Sequence, residues 1–394
     1  MFNAKSREEL QDFLKNDNHL RYIFNQATGT GKTFCSLLKM EQWNNMFGGE
    51  FLVVVPKKNI INGWKFEFDK FGYNHLLEKC TIICYNSLHK YVDKEWTGVF
   101  LDEAHHLSDK RKEMFLSMKY KCLIAMSATI GRDIKNFLYL NVRGLERVEF
   151  PLKDAIENGV LPNPKVVLIP LKLDNKILSE IYVKNPKAKK SMEVAYQDRF
   201  KCRDKSVKYN IHCTQLQWYI ETNSVIKWLN QHAPKFAYLK KCGERLKWLS
   251  DKKTDFVKDM LKLLKDQRII TFCNSIEQSN ELGKNSINSK NPKYQDIIDK
   301  FNSHKLHRIT CIEILTEGAN LVDCKISIFA TLNGSERLGI QKMGRGLRHD
   351  KPVMIIPYYI NTRDEEIVQK MIQNYDPNMI VKINDLNELK EHLK

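Results

Sequence analysis

The octapeptide Gln26-Ala-Thr-Gly-Thr-Gly-Lys-Thr33 constrains this chain more than any other stretch. Ahead of it, Arg21-Tyr-Ile-Phe24 reads as a short buried strand, and behind it Phe34-Cys-Ser-Leu-Leu38 reads as the start of a helix. Strand, glycine-rich loop and helix in that order cradle phosphate. Glycines let backbone N–H groups turn inward, a lysine reaches the β and γ oxygens, and a hydroxyl ligates Mg²⁺. Gly29, Gly31, Lys32 and Thr33 fill those roles, with Thr28 and Thr30 completing the loop. The strict pattern begins with Gly where this chain has Gln26, so the flanking strand and helix carry the assignment. The bland alternative is a glycine-rich turn capping an ordinary helix. Downstream, Asp102-Glu-Ala-His105 supplies a metal-binding partner, and the two motifs together point to hydrolysis of ATP with Mg²⁺.

Short apolar runs alternate with amphipathic stretches from about Arg21 to Val148, the pattern of a parallel sheet with helices on both faces. Phe51 to Val55, Thr81 to Cys84, Gly98 to Leu101 and Leu123 to Met126 are the further strand candidates, each ending where a polar signature begins. Ligands of open α/β sheets bind beyond the carboxyl ends of the strands, so these signatures are expected to form one composite site. Residues 1–150 are therefore read as a first, nucleotide-binding domain.

Pro151, Pro162, Pro164 and Pro170 crowd the next stretch, which marks 151–174 as a connector. Strand candidates return at Arg268 to Phe272, Arg308 to Ile314, Ile326 to Ala330 and Val353 to Pro357, giving a second α/β domain over 266–394. Between them lies 175–265, largely helical in pattern, with 21 Lys and Arg against 9 Asp and Glu. Trp218, Trp228, Phe236, Tyr238 and Trp248 are scattered among those basic residues. Two readings stand: a nucleic-acid surface in which bases stack on aromatics and lysines meet phosphates, or a helical bundle with an aromatic core and a solvated basic face.

The 394 residues carry a formal charge of +17, which favours a polyanionic partner. No apolar run is long enough to span a membrane, and no basic-then-apolar start marks a secretory route, so a cytoplasmic protein is expected. Ten cysteines sit singly, as reduced thiols do. Cys202, Cys213 and Cys242 with His212 are spaced too irregularly for a structural zinc site.

Three more signatures follow in order: Ser127-Ala-Thr129, Thr316-Glu-Gly-Ala-Asn320 and Gln341-Lys-Met-Gly-Arg-Gly-Leu-Arg348. With these the chain resembles the superfamily 2 helicases and translocases, over nearly everything outside the basic insertion. The resemblance implies an α/β fold of two RecA-like parallel-sheet domains in tandem, with a basic, mainly helical insertion between them. At the ATP site, an Asp at a strand end holds Mg²⁺ through water and the adjacent Glu orients the attacking water, roles that fall to Asp102 and Glu103. His105 resembles the family's relay between the γ-phosphate and the second domain. Arg345 and Arg348, three apart on one helical face, resemble its arginine fingers, with Gln341 beside them. Gly318 and Asn320 match positions near the nucleotide. Ser127, Ala128 and Thr129 resemble the link between hydrolysis and domain motion; the alternative is that they satisfy buried backbone groups.

Nucleic-acid contacts in this family come from strand-end loops, which match Pro56-Lys57-Lys58, Tyr85-Asn86-Ser87, Asn274-Ser275 and Thr316 here, each with an ordinary turn as its alternative. Many members read adenine with an Arg-x-x-Gln signature ahead of the phosphate loop, and Gln11 is the nearest counterpart. Trp64, Ala155-Ile-Glu-Asn-Gly159 ahead of Leu161-Pro162, and Thr362-Arg-Asp364 resemble the DNA translocases related to restriction motors, phage branch-migration helicases and excision-repair helicases. DNA is thus favoured over RNA, with the chain working as a monomer on its strand. Its compact size and absence of accessory domains resemble viral versions, and if the chain is viral the expected compartment is the host cytoplasm. Junction remodelling without processive unwinding and an ATP-switched clamp are the competing functions.

Overall fold

The computed structural model describes residues 1–288, 290–312, 321, 323–332, 349–373 and 375–393. Thr316, Gly318, Asn320, Gln341, Arg345 and Arg348 lie outside the described residues.

The first sheet holds seven strands: β1 (Phe2–Asn3), β2 (Arg21–Gln26), β3 (Phe51–Val55), β4 (Cys80–Cys84), β5 (Glu95–Asp102), β6 (Lys119–Ser127) and β7 (Leu145–Phe150). Their order is β1-β7-β2-β6-β5-β3-β4, and every pairing is parallel. A parallel sheet covered on both faces needs nearly continuous apolar strands, and Phe51-Leu-Val-Val-Val55 is buried at all five positions. The register sets Asn25 beside Ser127 and Asp102 beside Met126, so the carboxyl ends of β2, β6 and β5 form one edge. The helix Arg7–Asn16, which packs on the phosphate-loop helix Lys32–Phe47, is capped by Ser6, whose hydroxyl accepts from Glu9 N at 3.0 Å.

The second sheet also has seven parallel strands, in the order β13-β14-β12-β15-β16-β8-β17. These are β8 (Lys165–Leu171), β12 (Ile269–Phe272), β13 (Ser286–Ile287), β14 (Arg308–Cys311), β15 (Ile326–Phe329), β16 (Val353–Tyr359) and β17 (Ile380–Lys382). The proline-rich stretch expected as a connector therefore holds a helix, Leu152–Glu157, and an interior strand of the second domain. Pro170 is tolerated in β8 because β17 pairs only Val166 to Leu168, leaving the N–H side at 170 without a ladder to break. Leu152, Ala155, Ile156 and Leu161 join the same apolar cluster as the cores around both sheets, so this segment is packed rather than strung between domains.

The basic region begins as β structure: β9 (Glu180–Lys184), β10 (Lys190–Ala195) and β11 (Val207–Cys213) form a small sheet ordered β10-β11-β9. Helices Gln215–His232 and Lys235–Lys252 follow as a hairpin, and Thr254–Leu263 returns to the second sheet through Val257, Met260 and Leu261. Thr214 opens the hairpin with a full capping box to Gln217. Among the described residues no helix is long and apolar enough to cross a membrane, and no cluster of three His, Cys, Asp or Glu could hold a metal.

Lys253, where the last two of these helices meet, donates to Asp364 Oδ2 at 2.9 Å with both side chains almost wholly buried. Removing one partner leaves a charge stranded in the core. Lys253→Met and Asp364→Asn should each destabilise the second domain by about 3–5 kcal/mol, and Lys253→Met with Asp364→Leu should recover most of that, read by chemical denaturation.

Candidate active site

The phosphate loop leaves β2 at Gln26 and enters its helix at Lys32. Gln26 is still strand, paired with Phe150, which explains why the missing first glycine is tolerated: its backbone needs no unusual conformation. The turn proper uses Gly29 and Gly31, at φ of 93° and 99°, a region that side chains disfavour. A Cβ on Gly29 would also lie 3.1 Å from Leu161 Cδ2. Thr30 is buried, with its hydroxyl donating to Ala27 O at 2.8 Å, so it shapes the loop from within. Gly31 offers the helix no side-chain cap, leaving its first amides directed at the loop's concavity, where an anion is favoured. The Lys32 ammonium donates to Gln26 O at 3.0 Å and Ala27 O at 3.3 Å.

Asp102 ends β5 and Glu103 follows it with φ 50° and ψ 57°. A left-handed non-glycine residue costs energy, and here it turns the second carboxylate away from the first. Asp102 Oδ2 accepts from Trp64 Nε1 at 2.9 Å, and its carbonyl accepts from Tyr85 OH at 3.0 Å. Glu103 Oε2 instead accepts from Ser127 Oγ at 2.7 Å and lies 3.3 Å from His105 Nδ1. His105 Nδ1 is also 3.1 Å from Ser127 Oγ, closing a three-residue cluster across β5 and β6. Thr129 N donates back to Ser127 Oγ at 3.3 Å. Ala128 is buried between them.

The carboxylates titrate apart. Burial, and then the charge of Glu103, push Asp102 up to about 6, against the opposing Trp64 hydrogen bond and Lys32 charge. Burial acts on Glu103 as well, but the His105 hydrogen bond, the Lys32 charge and the Ser127 hydrogen bond together hold it below the usual range. Glu103 is thus the firmly ionised member. Lys32 opposes proton uptake at both, which places the loop lysine and both acids in one electrostatic site.

Other expected contacts fare differently. Pro56 and Lys57 are half-buried and Lys58 is exposed at the start of the helix Lys58–Lys70, one strand beyond Asp102. Tyr85 is turned inward as the support of Asp102, leaving exposed Asn86 and half-buried Ser87 on the surface side. Asn86 Oδ1 accepts from Arg111 at 2.6 Å, whose guanidinium also donates to His106 O at 2.7 Å. Ser275 caps the helix Ile276–Leu282 by accepting from Gln278 N, and Asn274 N donates to the Gln278 side chain. That is the ordinary turn chemistry held open above as the alternative.

Sequence reasoning passed over three supporting groups. Asn25 accepts from Ile130 N at 3.2 Å and donates to Glu149, pinning the Ser127-Ala-Thr129 turn to β2. Arg7 donates to Gly29 O at 2.9 Å and to Val160 O at 3.4 Å, tying the phosphate loop to the segment leading into β8. Trp64 was visible only as a family marker, 38 residues from the aspartate it holds.

Asp102 takes up a proton more readily in the folded chain than in the unfolded one, so its charge costs stability above about pH 6, and that cost fades as pH falls toward 4. Asp102→Asn should accordingly raise the unfolding temperature of the ligand-free protein by a few degrees at pH 7.5, and the gain should shrink between pH 6 and pH 4 in calorimetric scans.

Known proteins match part of the chain by family and sequence, and nearly all of it by structure. Residues 3–132 match the family described as type III restriction enzyme, res subunit. A Halobacterium salinarum protein described as a DNA 3′–5′ helicase, Rad25, is 28% identical over 123 residues, which span 27% of this chain and 20% of that protein. The match thus covers about a fifth of that relative's length. Among solved structures, S. cerevisiae Dbp5 bound to RNA and ADP BeF3 superposes with a TM-score of 0.60 at 11% identity, over 99% of this chain and 98% of that one. The type ISP restriction-modification enzyme LlaBIII bound to DNA gives 0.55 at 13% identity, over 98% of this chain and 32% of that one. The first domain thus matches the restriction-subunit family over residues 3–132, and the two-sheet architecture is shared with these solved structures.

Proposed function

We propose that the chain is a nucleic-acid-stimulated ATPase that moves along, or remodels, DNA. The observation that carries this is the cluster at one sheet edge: the loop lysine, a metal-side aspartate held by Trp64, and a glutamate held ionised by Ser127 and His105. A site that gives two acids different partners is suited to catalysis: both are largely ionised at neutral pH, Asp102 on the side of Trp64 and Glu103 on the side of Ser127 and His105, where it can orient or deprotonate water. Thr33 and Asp102 offer the hard oxygen donors that Mg²⁺ prefers, and the burial and neighbouring Glu103 charge that together raise Asp102 fit a cation there. Bound Mg²⁺ would neutralise charge on the β and γ oxygens.

In this reading Lys32 exchanges the loop carbonyls for phosphate oxygens, while Thr28, Gly29, Thr30, Gly31 and Thr33 line the cradle. Glu103 positions the attacking water. Ser127 and His105 respond to the γ-phosphate through that same glutamate, and Asn25 transmits the response to β2. Arg345 and Arg348 deliver cations from the second domain, with Gln341, Gly318 and Asn320 near the nucleotide. Lys57, Lys58, Asn86, Ser87 and Thr316 contact the strand's backbone, and the surplus of positive charge supports a polyanion as track. DNA over RNA is supported by Thr362-Arg-Asp364, by the restriction-subunit match and by the helicase relative.

Steady-state hydrolysis against single-stranded, duplex, forked and junction DNA and single-stranded RNA, with a salt titration, tests the proposal. DNA should stimulate turnover, and the stimulation should fall steeply with ionic strength. Equal rates with and without nucleic acid would sink the coupling. Lys32→Ala should abolish turnover and Glu103→Gln should leave an ATP-bound, DNA-retaining state. Arg345→Ala and Arg348→Ala should each cost roughly 10³- to 10⁵-fold in rate while sparing ATP binding.

A further inference from the structure

The basic region sorts its aromatic residues into two groups. Trp218 and Trp248 stack on each other at 4.2 Å, Trp248 Nε1 donates to Glu180, and Tyr219 and Leu249 pack with Tyr359 of β16. These rings anchor the helical hairpin Gln215–Lys252 to the second domain. Trp228 and Phe236 do the opposite. They flank the turn between the two helices and remain 57% and 76% exposed, with Leu239, at 53%, a turn further on. Large apolar side chains left exposed together around one turn mark an interaction surface.

Trp228 is also held in place. The His232 ring stacks against it at 5.1 Å and 13°, and His232 Nδ1 lies 3.0 Å from Trp228 O. One indole face is thus backed while the side chain stays largely open to solvent. The chemistry around it selects the occupant. From Thr222 to Gly243 the chain contains no Asp or Glu, while Lys227, Lys235 and Lys240 are exposed and Lys241 pairs with Glu244. An apolar protein partner would not call for an acid-free lysine ring, and a duplex keeps its base faces stacked inside. Unpaired bases with flanking phosphates satisfy both features.

We propose that the tip of this hairpin, through Trp228 and Phe236 with Lys227, Lys235 and Lys240, stacks unpaired bases of a single-stranded nucleic acid. The inference rests on the nucleic-acid reading above, but not on hydrolysis. It assigns the hairpin a base-holding role distinct from the strand-end loops, whose contacts run to the backbone.

The test uses the full chain, a fluorescein-labelled dT20 strand and a blunt duplex of the same length, at fixed salt. Trp228→Ala with Phe236→Ala should weaken dT20 binding by about 5- to 100-fold, with duplex affinity held within about twofold. Trp228→Phe should restore most of the loss. A dT20 strand carrying 2-aminopurine should be quenched on binding the unaltered chain and less so by the double variant. Equal loss on both ligands would mean a general electrostatic patch, and unchanged dT20 affinity would mean that the rings serve a protein partner; either overturns the proposal. Should dT20 bind and quench as expected while ATP is never hydrolysed, the hairpin inference stands and the motor reading falls.

Discussion

Two neighbouring carboxylates sit half-buried at the edge of a parallel sheet, and the rest of the site is arranged to keep them different. Successive side chains on a strand point to opposite faces, and the left-handed backbone where β5 ends at Glu103 sends one acid toward Trp64 and the other toward Ser127 and His105. Lys32 then stands as the cation both acids feel.

The sheet topology makes this arrangement inexpensive. Because β6 lies between β2 and β5, the turn after β6 touches both the phosphate-loop strand and the acid-bearing strand. Asn25 and Ser127 therefore join three strand ends through side chains that are already in register. Arg7 extends the connection outward, since the phosphate loop and the segment leading into β8 share its one guanidinium.

Much of this was readable from residues alone, for physical reasons that also explain the gaps. Strands covered on both faces must be continuous apolar runs, so β3, β6, β12 and β16 announced themselves. β8 did not, because its prolines read as punctuation until the limited reach of β17 showed that Pro170 breaks no ladder. β9, β10 and β11 were hidden for the opposite reason: Lys190-Ser-Met-Glu-Val-Ala195 is mostly exposed and carries no burial pattern to detect. At the site, residue types gave the chemistry, but which way a side chain faces was not encoded locally. Tyr85 sits in the expected loop and points inward to Asp102. Ser275 sits in another and caps a helix.

We propose that the loop lysine, the two acids and the late arginines close on a single triphosphate. A crystal structure of the chain with ADP, beryllium fluoride, Mg²⁺ and a short DNA strand tests it most directly. The account predicts Lys32 moved from the Gln26 and Ala27 carbonyls to the phosphate mimic, Glu103 on the water in line with it, and Arg345 or Arg348 facing it from the other domain. Nucleotide bound elsewhere, with Lys32 still on its own loop, would contradict it.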